Sequence, residues 1–191
     1  MNDNLYQELQ IPNLFVPCYN NKIFGKSIEI ALPVSLINKE FKNWLASLNI
    51  SLRDCRFFSA EPGHKYTLHK DISWRAEKFY KITDCVKINL IYNASNSKMI
   101  WYKENSDAVP IVINNKVGEE LRIYKEEQCS VIFESKVVGP ACLVNGMAIH
   151  TMVNGNTTRH CYSLPLIDLT TKNRLTWDSA VNRLSKYIKQ Y

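Results

Sequence analysis

His69 and Asp71 stand two apart in Tyr66-Thr67-Leu68-His69-Lys70-Asp71, and a second histidine, His150, lies far downstream with Arg159 nine residues beyond it. Two imidazoles and one carboxylate form a donor set that grips a divalent transition metal from one side and leaves coordination positions open, a set suited to iron(II). A guanidinium fork beside such a centre suits an acidic molecule that chelates the metal with its other end. Whether any of this chemistry exists depends on the elements that carry the four residues.

On a strand, residues i and i+2 share a face, so His69 and Asp71 can donate to one ion while Lys70 points away. Asn154-Gly155 is a strong signal for a two-residue type I′ hairpin. Such a turn pairs Val153 with Asn156 and, counting back, sets His150 opposite Arg159 on one face, with Cβ atoms about 4.5–5.5 Å apart. Gly63 suits a tight backbone approach just before the first pair.

The surrounding text is strand-like. Segments 56–58, 66–69, 86–92, 99–102, 111–113, 121–124, 130–133, 141–144, 149–153 and 160–164 are short, rich in β-branched and aromatic residues, and bounded by Asn, Gly, Pro and Ser. Two flanking helices are predicted. In 35–48, Ile37, Phe41, Trp44, Leu45 and Leu48 make one apolar stripe behind Pro33 and Ser35. In 177–191, Trp177, Ala180, Val181, Leu184, Tyr187, Ile188 and Tyr191 do the same, with Thr176 or Asp178 as cap. Many short strands without intervening helices predict a mainly β, antiparallel sandwich or barrel, formed as a single domain over 1–191. Asn105 to Glu127, polar and irregular, reads as an insertion or lid. Trp101 and Tyr102 read as core rather than as a substrate mouth.

The chain carries 24 Lys and Arg against 18 Asp and Glu, a net +6, without a basic run of the kind that binds nucleic acid or lipid. Its six cysteines contain no Cys-x-x-Cys pair and follow no secretory signal, so reduced thiols in a cytoplasmic protein are expected. No apolar stretch approaches the roughly 20 residues of a membrane span.

These residues resemble the Fe(II)/2-oxoglutarate-dependent oxygenases, in particular the prolyl 4-hydroxylase-like branch. Its Gly-x-x-Tyr-x-x-His-x-Asp motif stands here as Gly63-His64-Lys65-Tyr66-Thr67-Leu68-His69-Lys70-Asp71, and its distal histidine with Arg or Lys nine residues on matches His150 and Arg159. The segment Leu143 to His150, with Asn154 and Arg159, is also similar to the aspartyl/asparaginyl hydroxylases. Ala60 stands where the branch has tyrosine, and 93–98 lacks its Gly-Gly. The resemblance implies a double-stranded β-helix (jelly-roll, cupin-like) over about 57–164. It also implies iron(II) held by His69, Asp71 and His150, and 2-oxoglutarate held by Arg159 in a pocket lined by Tyr66. Asn89, polar in an apolar strand, is added as a further pocket residue. The implied reaction is O2-dependent hydroxylation of a peptidyl or small-molecule substrate, with release of succinate and CO2. A cupin-type metal enzyme that uses no 2-oxoglutarate, or a non-catalytic jelly-roll binding module, are the alternatives.

Overall fold

Side-chain alternation along the strands organises the molecule. The structure, a computed structural model, describes residues 5–12, 28–71, 85–114, 120–137 and 139–190. Its strands are β1 (Tyr6–Glu8), β2 (Ile28–Leu32), β3 (Ile50–Leu52), β4 (Cys55–Ala60), β5 (His69–Asp71), β6 (Val86–Tyr92), β7 (Lys98–Glu104), β8 (Ile111–Asn114), β9 (Glu120–Ile123), β10 (Cys129–Lys136), β11 (Ala141–Asn145), β12 (Ile149–Val153) and β13 (Arg159–Asp168). The helices are α1 (Lys39–Ser47) and α2 (Trp177–Leu184). Among the described residues these strands form two antiparallel sheets. The larger runs β1-β11-β6-β13-β4-β2, with β3 also on β13, and the smaller runs β10-β7-β12-β5-β9-β8.

The pairing has a simple logic. β4 pairs with β13, β5 with β12, β6 with β11 and β7 with β10, so the first core strand meets the last and the middle strands meet each other. Successive members of this ribbon alternate between the two sheets, except where β7 and β10 lie side by side. A two-stranded ribbon wound in this way is a double-stranded β-helix, or jelly roll. The class read from the sequence is therefore the observed one.

The large sheet buries both of its faces. On the large sheet, Val86, Ile88 and Leu90 of β6, with Tyr162, Leu164 and Leu166 of β13, turn outward onto Phe41, Leu45, Trp177 and Leu184 of the helices. Lys87 and Asn89, with Arg159, Cys161 and Ser163, turn inward by the same period of two. Trp101 fills the space between the sheets beside Met99 and Met152, whereas Tyr102 packs with Ile149 and Leu68 in a separate cluster. Both aromatic residues are core, as expected. At about 25 cal/mol per Å², burying side chains of this size stabilises by roughly 1.5–3 kcal/mol each.

Several expectations require correction. α1 begins at Lys39, because the Asn38 side chain accepts from the Glu40 amide at 2.6 Å and caps there; Val34–Leu36 is a separate 3-10 turn. α2 is capped by Thr176 as expected, but after Leu184 the chain tightens into a 3-10 turn at Ser185–Tyr187, and Tyr191 lies outside the described residues. Strands β1, β2 and β3 were not foreseen. Within 105–127, β8 and β9 form a hairpin that pairs with β5 and extends the small sheet; 115–119 lie outside the described residues, as does Cys18. The other five cysteines are free thiols. No helix among the described residues is long and apolar enough to cross a membrane. Gly63 has φ +71 with nothing near its missing Cβ, so its role is the left-handed turn rather than close approach.

The largest correction concerns Asn154-Gly155. β12 belongs to the small sheet and β13 to the large one, so the two strands are not hairpin partners. Asn154 is buried, bonding the carbonyls of Ala60 and Thr157 through Nδ2 at 2.9 and 3.0 Å and accepting from Ser97 Oγ at 3.0 Å. These bonds tie the connection into the neighbouring chain and carry it across from one sheet to the other. Gly155 is needed for contact: a Cβ there would lie 1.8 Å from the Ser95 carbonyl oxygen, which is backbone and cannot swing aside. Gly155→Ala is therefore expected to destabilise the fold by about 3 kcal/mol, at the upper end of overpacking costs. Urea unfolding measures this directly, and an unchanged midpoint would contradict the packing described.

Candidate metal centre

β5 meets β12 at one cross-strand pair, His69 opposite His150, and directly opposite residues share a face. The two rings lie 4.6 Å apart between centroids. Asp71, two residues along β5, brings Oδ1 to 3.7 Å from His69 Nε2 and Oδ2 to 3.7 Å from His150 Nε2. These separations are within twice a metal–ligand bond of about 2.0–2.2 Å, so the three donors can close on one ion. All three ligand atoms fall within 4.8 Å of one another. The i, i+2 reading of the sequence gives this pair correctly, and Lys70 turns away to Glu104.

Both imidazoles are oriented by their own strands. His69 Nδ1 lies 2.7 Å from the Thr67 carbonyl and His150 Nδ1 lies 2.9 Å from the Ala148 carbonyl. A ring nitrogen facing a carbonyl must carry its proton, which leaves Nε2 as the lone-pair donor on both rings. The Asp71 amide donates to the Gly146 carbonyl at 2.8 Å, and the missing Cβ of Gly146 would sit 2.6 Å from Asp71 Oδ2. Gly146 thus makes room for the carboxylate.

Electrostatics favour a ligating state. Burial would raise the Asp71 carboxyl, but the Lys87 ammonium at 2.6 Å from Oδ2, with the two histidines, holds it well below the usual carboxylate range. Burial would likewise lower Lys87, and Asp71 more than offsets it. Burial and the neighbouring His69 push His150 down to about 4, so it is neutral at physiological pH.

Arg159 reaches the centre from the facing sheet, where it opens β13 opposite Ala60. It lies 4% exposed, with Nε and Nη1 buried and lacking hydrogen-bond partners among the described residues, and its guanidinium sits 5.9 Å from the Tyr66 ring centroid. The Tyr66 hydroxyl and Asn89 Oδ1 are also buried without hydrogen-bond partners among the described residues. Burial raises the Tyr66 phenol against the opposing pull of Arg159. Unpartnered buried polar atoms are costly, and four of them converge on a chamber of about 90 Å³ that also contacts the triad. The Arg159 nitrogens and the Tyr66 hydroxyl can donate to an anion there, whereas Asn89 Oδ1 offers an acceptor. All six sequence-derived residues, His69, Asp71, His150, Arg159, Tyr66 and Asn89, line that chamber.

A second chamber of about 310 Å³ also borders His69 and Asp71, walled by Phe58, Ile113, Leu121 and Ile123 and by the polar side chains of Glu29, Arg56 and Lys87. Lys87 borders both chambers and was missed from the sequence. Its signal was present: Lys87 and Asn89 are the two polar positions at period two in Val86-Lys87-Ile88-Asn89-Leu90.

No family model matches the chain, and no curated protein matches it. Among solved structures it is similar to the viral collagen prolyl hydroxylase of Paramecium Bursaria Chlorella virus-1 in complex with 2OG, at 9% identity and a TM-score of 0.37, over 74% of this chain and 79% of that one. It is also similar to a recombinant oxalate oxidase in complex with glycolate, at 9% identity and a TM-score of 0.34, over 87% of this chain and 62% of that one. A cupin 2 domain-containing protein from Halorhodospira halophila aligns over 97% of both chains, at 8% identity and a TM-score of 0.32. The fold assignment rests on the strand order itself.

Two outcomes are expected of the centre. Gly146→Ala should crowd Asp71 and weaken metal binding by roughly ten- to hundredfold, the usual scale for disturbing a ligand's support, as read by calorimetric titration. In protein stripped of metal, His150 protonates near 6.5 when unfolded but only near 4 when folded. The unfolded chain therefore binds more protons between those values, and stability falls as pH drops through that window, by about 3 kcal/mol in all. Urea midpoints across the range should show this slope, and His150→Gln should flatten it.

Proposed function

We propose that this protein is an Fe(II)- and 2-oxoglutarate-dependent oxygenase that hydroxylates a C–H bond. The observation that carries the reading is Arg159, a buried guanidinium with two unpartnered N–H-bearing nitrogens, in the same small chamber as a one-sided His-Asp-His donor set. A metal site of cupin type that uses no dicarboxylate would leave that cation without a counterpart. A binding module would leave the triad without one.

In this reading neutral His69 and His150, with ionised Asp71, hold the metal through Nε2, Nε2 and a carboxylate oxygen. The Arg159 fork receives the distal carboxylate of 2-oxoglutarate by charge-assisted hydrogen bonds, which a planar guanidinium makes in pairs. The Tyr66 hydroxyl and Asn89 amide supply further polar contacts along the chamber wall. Met99, Met152 and Val144 line the same chamber with apolar surface and keep water from it. Iron(II) with bound 2-oxoglutarate and O2 supplies the oxidising chemistry, with release of succinate and CO2. The substrate enters from the larger chamber, a peptidyl or free amino acid being of the right scale.

Anaerobic addition of Fe(II) and 2-oxoglutarate should produce the weak visible charge-transfer band of the chelate. Arg159→Ala should weaken 2-oxoglutarate binding about ten- to hundredfold, the worth of hydrogen bonds to a charge, while sparing metal affinity. His150→Ala should lose the metal. A folded protein that binds Fe(II) but gives no band with 2-oxoglutarate would overturn the proposal.

A further inference from the structure

The larger chamber is two-sided in character. Phe58, Ile113, Leu121 and Ile123 present apolar surface, and Lys87 supplies a cation beside Asp71 in the same wall. The Lys87 side chain is 14% exposed, and the one hydrogen bond its ammonium makes among the described residues goes to Asp71 Oδ2. An ammonium has three N–H donors, so two have no partner among the described residues, in the wall shared by the two chambers. Arg56, the other cation of this wall, is engaged by Glu29 at 3.0 Å.

We propose that this chamber takes a small free carboxylic acid with an aliphatic side chain, whose carboxylate is anchored by Lys87. The inference rests on the metal and 2-oxoglutarate reading and narrows its substrate from peptidyl or free species to a free acid. Charge balance supports the choice. With a metal dication, Asp71, Lys87, Arg159 and a dianionic cosubstrate in place, the buried centre keeps one uncompensated positive charge. Leaving that charge buried and unpaired is costly, and one carboxylate on the spare Lys87 donors removes it. A peptide backbone offers only neutral amides at that point. Size agrees, because about 310 Å³ is at the lower end of small-molecule sites, which run from about 300 to 1,000 Å³. The aliphatic end is then set against Ile113, Leu121 and Ile123. Of these, Ile113 sits on β8 and the other two on β9, in the hairpin that extends the strand carrying His69 and Asp71.

The test uses protein loaded with Zn(II), which supports no turnover, and saturated with 2-oxoglutarate. The isoleucine methyls are 13C-labelled, so Ile113 and Ile123 report occupancy of the chamber by NMR. Titration with 4-methylpentanoate should shift both methyls, and the isosteric neutral probe, 4-methylpentanamide, should bind at least about tenfold more weakly, as expected for loss of one charge-assisted contact. Lys87→Met should abolish the preference for the acid, and Lys87→Arg, which keeps the cation, should retain it. Equal binding of acid and amide, or unmoved Ile113 and Ile123 methyls, overturns the inference. So does an acid preference that survives in Lys87→Met, and loss of 2-oxoglutarate affinity in that variant would assign Lys87 to the cosubstrate instead. Should Lys87→Met fail to fold, the acid–amide comparison in the native protein and in Lys87→Arg still decides. If the native protein binds neither Zn(II) nor 2-oxoglutarate yet still prefers the acid, the oxygenase reading fails and the carboxylate site stands.

Discussion

The pairing of His69 with His150 is the contact on which the centre depends. It joins the early half of the ribbon to the late half within the small sheet, at a single residue pair. Around it, the Tyr66 amide donates to the Met152 carbonyl at 2.9 Å, and Thr151 Oγ1 donates to the Tyr66 carbonyl, so the approach to β5 is laid along β12 before the strand proper begins. Once those two histidines oppose each other, the strand period alone delivers Asp71 to the same face. A slip of one residue in this register would turn the ligands of one strand toward the other side of the sheet.

Strand periodicity also explains what the sequence made legible and what it hid. His69 and Asp71 could be placed together because their relation is local and the rule is exact in backbone geometry. The helical stripes over Phe41–Leu45 and Trp177–Leu184 were readable for the same reason, although Asn38 caps α1 later than Pro33 and Ser35 suggested. The relation between His150 and Arg159 is not local. Asn154-Gly155 carries the chemistry of a tight turn, but tertiary bonds from Asn154 to Ala60 and Thr157 and the close passage of Gly155 over Ser95 decide its conformation. Arg159 shares a chamber with His150 not as its hairpin neighbour but from the facing sheet, across the sandwich. Lys87 was overlooked although the period that found Asn89 marks it equally. The short strands β1, β2 and β3 owe their existence to partners in β11, β4 and β13, and a three- to five-residue window cannot show those partners.

The sandwich divides its polar inventory sharply. Outward faces of the large sheet are closed by helices, and the space between the sheets holds Trp101, with Met99 and Met152 lying between it and the charged centre. Asp71 meets Lys87 directly, whereas the Arg159 guanidinium has no carboxylate partner among the described residues. One small chamber thus holds a buried cation that no carboxylate compensates among the described residues, at a cost in stability.

The carbonyl partners of the two histidines have a consequence for how such a centre can change. In each case the oxygen that fixes the imidazole belongs to the residue two positions earlier on the same chain, Thr67 for His69 and Ala148 for His150. Backbone oxygens survive every substitution of the side chains that bear them. Ligand orientation is thus inherited with the strand itself, not with a separate set of supporting side chains that could drift out of step. The pocket walls can therefore vary while the two imidazoles keep their orientation, which changes only if the strands themselves shift.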